Sequence, residues 1–314
     1  MDVGELIAGV RSGDRRAVAR AISLVEDGGA ELEELAAGIV DATGRASTVG
    51  LTGAPGVGKS TLAGGLVGAA RARELTIAVL AVDPTSPYTG GALLGDRVRM
   101  QEHATDAGVF IRSMATRGHL GGMALAAPEA VRILDAAGYS RVVVETVGVG
   151  QAEVEVAAAT DTAVVVMAPG MGDAVQIAKA GILEVADLFV VNKRDRDGAE
   201  EVARELRQML HLGAAREWDP PIVLASANTG EGIEEVWGEI DRHRAWAEET
   251  GAASRKRRSR LLREVQTLAA ERFRLSAAAA LEAGDGELAD ALEGRRIDPY
   301  RAAAILVEEA ARTR

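Results

Sequence analysis

The chain has 314 residues and a net charge of −11, 47% of its residues are apolar, and it contains no cysteine. Disulfides and thiolate metal sites are therefore excluded, and the acidic balance does not fit a nucleic-acid-binding protein. The sequence has no run of 18 apolar residues, and acidic residues near the N-terminus do not fit a basic, apolar leader. We therefore expect no membrane span and a cytoplasmic protein.

Three regions follow one another along the chain. Residues 1–45 carry apolar residues at spacings of three and four, which predicts an N-terminal helical extension. Residues 46–248 alternate helical patterns with short, continuously apolar runs such as STVGLTG, TIAVLAVD and RVVVETV. Such runs indicate parallel strands buried on both faces, so we predict an α/β fold with a mostly parallel, doubly wound sheet. Residues 249–314 show no strand pattern and predict a C-terminal helical extension.

The run GAPGVGKST follows the first predicted strand and begins a predicted helix, which is the context that a phosphate-binding P-loop requires. Glycines let backbone N–H groups surround phosphate oxygens at the positive end of the helix. We expect Lys59 to contact the β- and γ-phosphates and Ser60 to bind Mg²⁺, which makes this a P-loop NTPase. The predicted phosphate-binding residues are Gly53, Ala54, Pro55, Gly56, Val57, Gly58, Lys59, Ser60 and Thr61.

The run NKRD, residues 192–195, closes the predicted strand LFVVNK and indicates guanine recognition. The Asp195 carboxylate can accept hydrogen bonds from the ring N–H and the amino group of guanine, a pair of donors that adenine lacks. Asn192 and Lys193 are expected to brace the loop and cover the base. Ser226 and Ala227 close a later strand, where a backbone N–H can meet the guanine carbonyl. GTP and GDP are therefore the predicted ligands.

Carboxylates at strand ends indicate a magnesium site beside the P-loop. Glu145 closes the strand RVVVET, and Asp83 closes TIAVLAVD. Asp96 lies in the long loop after Asp83, where it could reach the metal or simply cap a helix. The predicted Mg²⁺ set is Ser60, Asp83, Asp96 and Glu145.

Two further loops on the same side of the sheet are candidates for segments that change conformation. Gly148 lets the backbone turn so that its N–H can meet the γ-phosphate, which completes the predicted catalytic set of Lys59, Asp83, Glu145 and Gly148. Gln151 is a candidate for orienting the attacking water. The loop APGMGD ends at Asp173, which either caps the following helix or belongs to a mobile segment that communicates with a partner.

The runs GAPGVGKST, VDPTSPYTGGALLGDRVRM, VVVETVGVGQAEVEV, APGMGDAVQ and NKRD, in this order, closely resemble the MeaB/ArgK family of P-loop GTPases. The resemblance implies a GTPase with a C-terminal helical extension that forms a homodimer. It also implies a partner, an adenosylcobalamin-dependent acyl-CoA mutase acting on methylmalonyl-CoA or isobutyryl-CoA. The GTPase would gate cofactor loading and protect or reactivate that mutase.

The same resemblance implies two switch segments. Residues 148–155 would form the second switch, which contains Gln151 and Glu153. Residues 168–179 would form an additional switch that contains Asp173, with Lys179 a candidate for coupling to the mutase.

The residues alone leave two other functions of this fold as alternatives. A metallochaperone GTPase would store or deliver nickel, but the chain has no cysteine and only four dispersed histidines. A GTP-dependent kinase would transfer the γ-phosphate to an acceptor molecule, but the sequence indicates no binding pocket for such an acceptor. The dense basic run RKRRSR, residues 255–260, is interpreted as a solvated helix start or a contact for an acidic partner.

Overall fold

The computed structural model describes residues 2–29, 31–84, 103, 105–116, 123–146, 156, 158–170, 182–213, 216–283 and 286–312. The chain divides into two compact units, Met1–Arg260 and Leu261–Arg314. The first unit contains the sheet, and the second is helical. The predicted domain boundaries after residues 45 and 248 remain predictions.

Seven strands of the described chain form one sheet in which every neighbouring pair is parallel. Their order across the sheet is β3-β2-β4-β1-β5-β6-β7, so β1 lies at the centre between β4 and β5. The predicted parallel, doubly wound α/β fold is confirmed. The strands are β1 Ser47–Thr52, β2 Ile77–Pro84, β3 Val109–Thr116, β4 Arg141–Thr146, β5 Thr162–Met167, β6 Leu188–Val191 and β7 Ile222–Leu224.

Helices cover both faces of this sheet, as its continuously apolar strands require. The first unit contains α1 Val3–Arg11, α2 Arg15–Asp27, α3 Leu32–Ile39, a 3₁₀ turn at Val40–Ala42, α4 Lys59–Ala72, α5 Met123–Ala136, α6 Ile182–Val185, α7 Ala199–Leu212 and α8 Ile233–Glu249. The helix α9 Ala252–Ala283 begins in this unit and ends in the second, which also contains α10 Glu287–Glu293 and α11 Pro299–Arg312.

Two apolar cores fill the layers on either side of the sheet. One joins the N-terminal helices and α5 to β2, β3 and β4, with Ile22 and Leu35 fully buried. The other joins α4 and α8 to β1, β5 and β6, with Leu62 and Trp237 fully buried. The N-terminal helices predicted as an extension are therefore packed against the sheet through a shared core.

A polar contact also fixes α2 to the edge strand β3. The guanidinium of Arg112, on β3, donates to the carbonyl oxygen of Ala19 at 2.7 Å and to the hydroxyl of Ser23 at 2.8 Å. It also forms an ion pair with Glu26 at 2.6 Å, in which the two side chains are only 18% and 12% exposed. Three bonds from one planar donor hold the helix in a single orientation on the strand.

The interpretation of the basic run RKRRSR as a solvated helix start is wrong for two of its residues. Lys256 forms an ion pair with Asp187 at 2.9 Å, and Arg260 contacts Asp161 at 3.4 Å. Both acids lie just before strands, so the acidic partner of this run belongs to the same chain. Arg257 and other members of the run are exposed.

The second unit exposes large apolar side chains along α9. Leu261, Val265, Leu268 and Leu275 recur at spacings of four, three and seven, and they are 39% to 61% exposed. This spacing aligns them on one face of the helix. No helix in the described part of the chain is long and apolar enough to cross a membrane.

We predict that Arg112→Met lowers the free energy of unfolding by about 2 kcal/mol or more, because Glu26 loses its guanidinium while remaining largely buried. Urea denaturation followed by circular dichroism measures the change. Arg11→Met is the matched control, since the Arg11–Asp41 ion pair also joins N-terminal elements but is exposed to solvent. An equal loss in both variants would contradict the assigned role of Arg112.

Candidate functional site

The candidate site is a cavity of about 390 Å³ at the carboxyl ends of the central strands, where ligands bind in open α/β sheets. The P-loop after β1, the NKRD loop after β6 and the loop after β7 all contribute to its wall. Glu145, near the end of β4, closes a fourth side. The structure thus brings together segments that lie more than 130 residues apart in the chain.

Two glycines allow the P-loop to pass close to its neighbours. A Cβ atom on Gly53 would lie 2.1 Å from the carbonyl oxygen of Val166 on β5. A Cβ atom on Gly58 would lie 2.4 Å from the amide nitrogen of Asn192, and Gly58 has a φ angle of +96°. Both positions therefore require glycine, for space and for a left-handed backbone.

Lys59, the first residue of α4, is turned into the loop that precedes it. Its ammonium group donates to the carbonyl oxygen of Gly53 at 2.6 Å and to that of Ala54 at 3.1 Å. The residue is 6% exposed. A buried cation needs such oxygen partners, and the oxygens of a phosphate can replace them.

Ser60 and Glu145 meet across α4 and β4. The Ser60 hydroxyl donates to Glu145 Oε1 at 2.5 Å, and Glu145 is 1% exposed. In the register between β1 and β4, Leu51 pairs with Glu145, so the two side chains lie on the same face of the sheet. This is the face that α4 covers. A hydroxyl and a carboxylate are hard oxygen donors of the kind that Mg²⁺ prefers, so the residues fit that ion.

Asn192 connects three loops of the site. Its side-chain amide donates to the carbonyl oxygen of Val57 in the P-loop at 2.8 Å. Its side-chain oxygen accepts from the backbone N–H of Ala227 at 3.0 Å. Lys193 adds a second link, because its ammonium donates to the carbonyl oxygen of Gly56 at 2.6 Å. The NKRD loop and the P-loop are thereby fixed to one another.

Asp195 also lines the cavity, and its carboxylate accepts a hydrogen bond from the hydroxyl of Ser226 at 2.7 Å. The pKa of the Asp195 carboxyl is lower than its ordinary value, mainly because of this hydrogen bond. The group is therefore an acceptor at neutral pH. Arg194, between Lys193 and Asp195, forms an exposed ion pair with Glu231 at 3.0 Å.

Several predicted site residues lie outside the described part of the chain. Asp83 belongs to β2 by its backbone, but its side chain is not described. The others are Asp96, Gly148, Gln151, Glu153, Asp173 and Lys179. Their predicted roles remain predictions.

Two cavity-lining residues were not singled out from the sequence. Thr146 follows Glu145 at the end of β4, and Asn228 follows Ser226 and Ala227. Their positions directly after predicted site residues are the one signal that could have identified them.

Comparison with protein families gives a match to the model described as "Methylmalonyl Co-A mutase-associated GTPase MeaB" over residues 18–282. A protein of Pyrococcus horikoshii is 48% identical over 314 residues, covering 98% of both chains. The GTPase ArgK of Escherichia coli is 41% identical over 248 residues, covering 76% of this chain and 75% of its own length. The mitochondrial methylmalonic aciduria type A homolog of Mus musculus is 38% identical, covering 75% of this chain and 61% of its own.

Among solved structures, the chain is similar to one titled as an LAO/AO transport system kinase. The TM-score is 0.69 and the identity 28%, and the match covers 98% of this chain and 96% of the other. The similarity therefore includes the helices outside the sheet.

We predict that Gly58→Ala destabilises the protein by about 1 to 3 kcal/mol, because the new Cβ meets the amide of Asn192 in a left-handed backbone conformation. Gly68→Ala in α4 is the matched control. A Cβ there meets no atom within 4 Å, so we expect a gain of about 0.5 to 1 kcal/mol from lower backbone entropy. Urea denaturation measures both, and equal behaviour of the two variants would refute the steric argument.

Proposed function

Since the chain belongs to the family of methylmalonyl-CoA mutase-associated P-loop GTPases, we propose that it is the GTP-hydrolysing chaperone of an adenosylcobalamin-dependent acyl-CoA mutase. Its GTPase cycle would gate cofactor loading and protect or reactivate that mutase. The observation that carries the nucleotide assignment is the pair of hydrogen bonds by which Asn192 joins the P-loop to the guanine-recognition loops. The assignment of the partner depends on the family. The predicted cytoplasmic location remains a prediction.

In this proposal the base and the phosphates bind at opposite ends of one cavity. Asp195 accepts from the two N–H donors on the edge of guanine, and Lys193 lies against the base. Lys59 exchanges the carbonyl oxygens of Gly53 and Ala54 for β- and γ-phosphate oxygens. That exchange gives the ammonium charged partners in place of neutral ones.

Hydrolysis then follows the general pattern of phosphoryl transfer. A water oxygen forms a bond to the γ-phosphorus while the bond to the β–γ bridging oxygen breaks, which yields GDP and inorganic phosphate. Lys59 stabilises the charge on the transferring group, and the backbone N–H groups of residues 53–60 hold the phosphates in place. Mg²⁺, held by Ser60 and Glu145, would neutralise phosphate charge, with Asp83 and Asp96 as further candidates.

Loss of the γ-phosphate provides the signal in this proposal. Gly148 would contact that phosphate, and residues 148–155 and 168–179 would change position when it leaves. Gln151 is proposed to orient the attacking water. Lys179 is proposed to transmit the change to the mutase.

We further propose that the second unit forms a homodimer through the apolar face of α9. Val265→Asp should reduce the mass measured by light scattering towards 32.7 kDa, because a carboxylate would be buried in the interface. Val40→Asp is the control, since Val40 is also an exposed apolar residue but lies in the first unit. A monomeric parent protein would refute the dimer.

The decisive experiment measures phosphate release from GTP, with ATP as a control, by the protein alone and with a methylmalonyl-CoA or isobutyryl-CoA mutase from the same genome. We expect one mutase to raise GTP turnover, and we expect Lys59→Ala to abolish both the basal and the stimulated rates. Tight GDP binding with no response to either mutase would remove the chaperone assignment and leave the GTPase. Transfer of phosphate to a protein or small molecule, instead of its release, would favour a kinase.

A further inference from the structure

Thr52, the last residue of β1, carries a buried hydroxyl that has no role in the site described above. The residue is 0% exposed, and its Oγ1 has no hydrogen-bond partner among the residues that the structure describes. Burial of an unsatisfied hydroxyl is unfavourable, whereas valine has the same shape without that penalty. A threonine here therefore suggests that the hydroxyl gains a partner in another state of the protein.

Thr146, the last residue of β4, is placed to be that partner. The register pairs Leu51 with Glu145, so the next residues, Thr52 and Thr146, are neighbours at the ends of adjacent strands. Glu145 points towards α4, and both threonines therefore point to the other face of the sheet. Neighbouring side chains on one face of a sheet have Cβ atoms about 5 Å apart, within reach of a hydroxyl–hydroxyl hydrogen bond.

The present hydrogen bond of Thr146 is a weak one. Its hydroxyl donates to the carbonyl oxygen of Leu51 at 3.5 Å, the outer limit for such a bond, although the residue is 1% exposed. A rotation about χ1 would exchange this long contact for the hydroxyl of Thr52. Little energy opposes the exchange, because a bond at 3.5 Å contributes little.

The two threonines also connect parts of the site that must act together. Thr146 lines the nucleotide cavity and follows Glu145, while Thr52 directly precedes Gly53 of the P-loop. We propose that Thr52 is a positioning residue for GTP hydrolysis. When nucleotide fills the cavity, the Thr146 hydroxyl turns to that of Thr52, and this bond fixes the P-loop relative to Glu145. The inference rests on the proposed nucleotide site and is independent of the mutase.

The test compares Thr52→Val, Thr146→Val, the double variant and Thr52→Ser in steady-state GTP hydrolysis. We expect each valine variant to lower kcat by about three- to tenfold with little change in KM, which is the effect of one hydrogen bond made after binding. The double variant should lose no more than either single variant, because both remove the same bond. Thr52→Ser keeps the hydroxyl and should retain turnover.

Thermal unfolding of the nucleotide-free protein gives a second, opposite readout. Thr52→Val should raise Tm by about 2 °C, since it removes an unsatisfied buried hydroxyl. Thr48→Val is the matched control on the same strand and face. The Thr48 hydroxyl accepts from the backbone N–H of Asp161 at 2.8 Å, so its loss should lower Tm and leave kcat unchanged.

Three results would overturn the inference. These are unchanged kcat in Thr52→Val, additive losses in the double variant, and failure of Thr52→Ser to retain turnover. Absence of a mutase response in the parent protein would instead count against the proposed partner and would leave this test intact. Absence of GDP binding in the parent would refute the nucleotide site and this inference together.

Discussion

The two hydrogen bonds of the Asn192 side chain are the constraint on which the site depends. They join the carbonyl oxygen of Val57 to the backbone N–H of Ala227, so that the loops after β1, β6 and β7 hold one another in place. Gly58 must be glycine because the amide of Asn192 occupies the space of a side chain. The positions of Lys59 and Ser60, at the start of α4, follow from this contact. The loops that line the cavity are thereby held at fixed positions.

The fold could be predicted from the sequence because its strands are buried on both faces. STVGLTG and RVVVET are continuously apolar or small for that reason, and they became β1 and β4 with nearly the predicted bounds. The start of α4 at Lys59 was also predictable, since the motif itself places the helix there. These features are local, and each depends on residues close together in the chain.

Contacts between distant residues could not be predicted in the same way. Lys256 and Arg260 looked like members of a solvated basic run, because nothing near them in sequence is a partner. Their acids, Asp187 and Asp161, lie 69 and 99 residues away. Arg194 within NKRD likewise forms an ion pair with Glu231 from the loop after β7. The neighbouring positions of Thr52 and Thr146 likewise depend on strand register, which the pattern of apolar residues does not specify.

The central place of β1 in the sheet has a consequence for how the protein is made. Ser47 pairs with Arg141, 94 positions later, and Val49 pairs with Thr162 on the other side. At a translation rate of about 5 to 20 residues per second, β1 is synthesised about 5 to 20 s before either neighbouring strand. During this interval the nascent chain contains β1 without its neighbouring strands β4 and β5. Helices α1 to α4 are then the first elements available to cover its apolar residues.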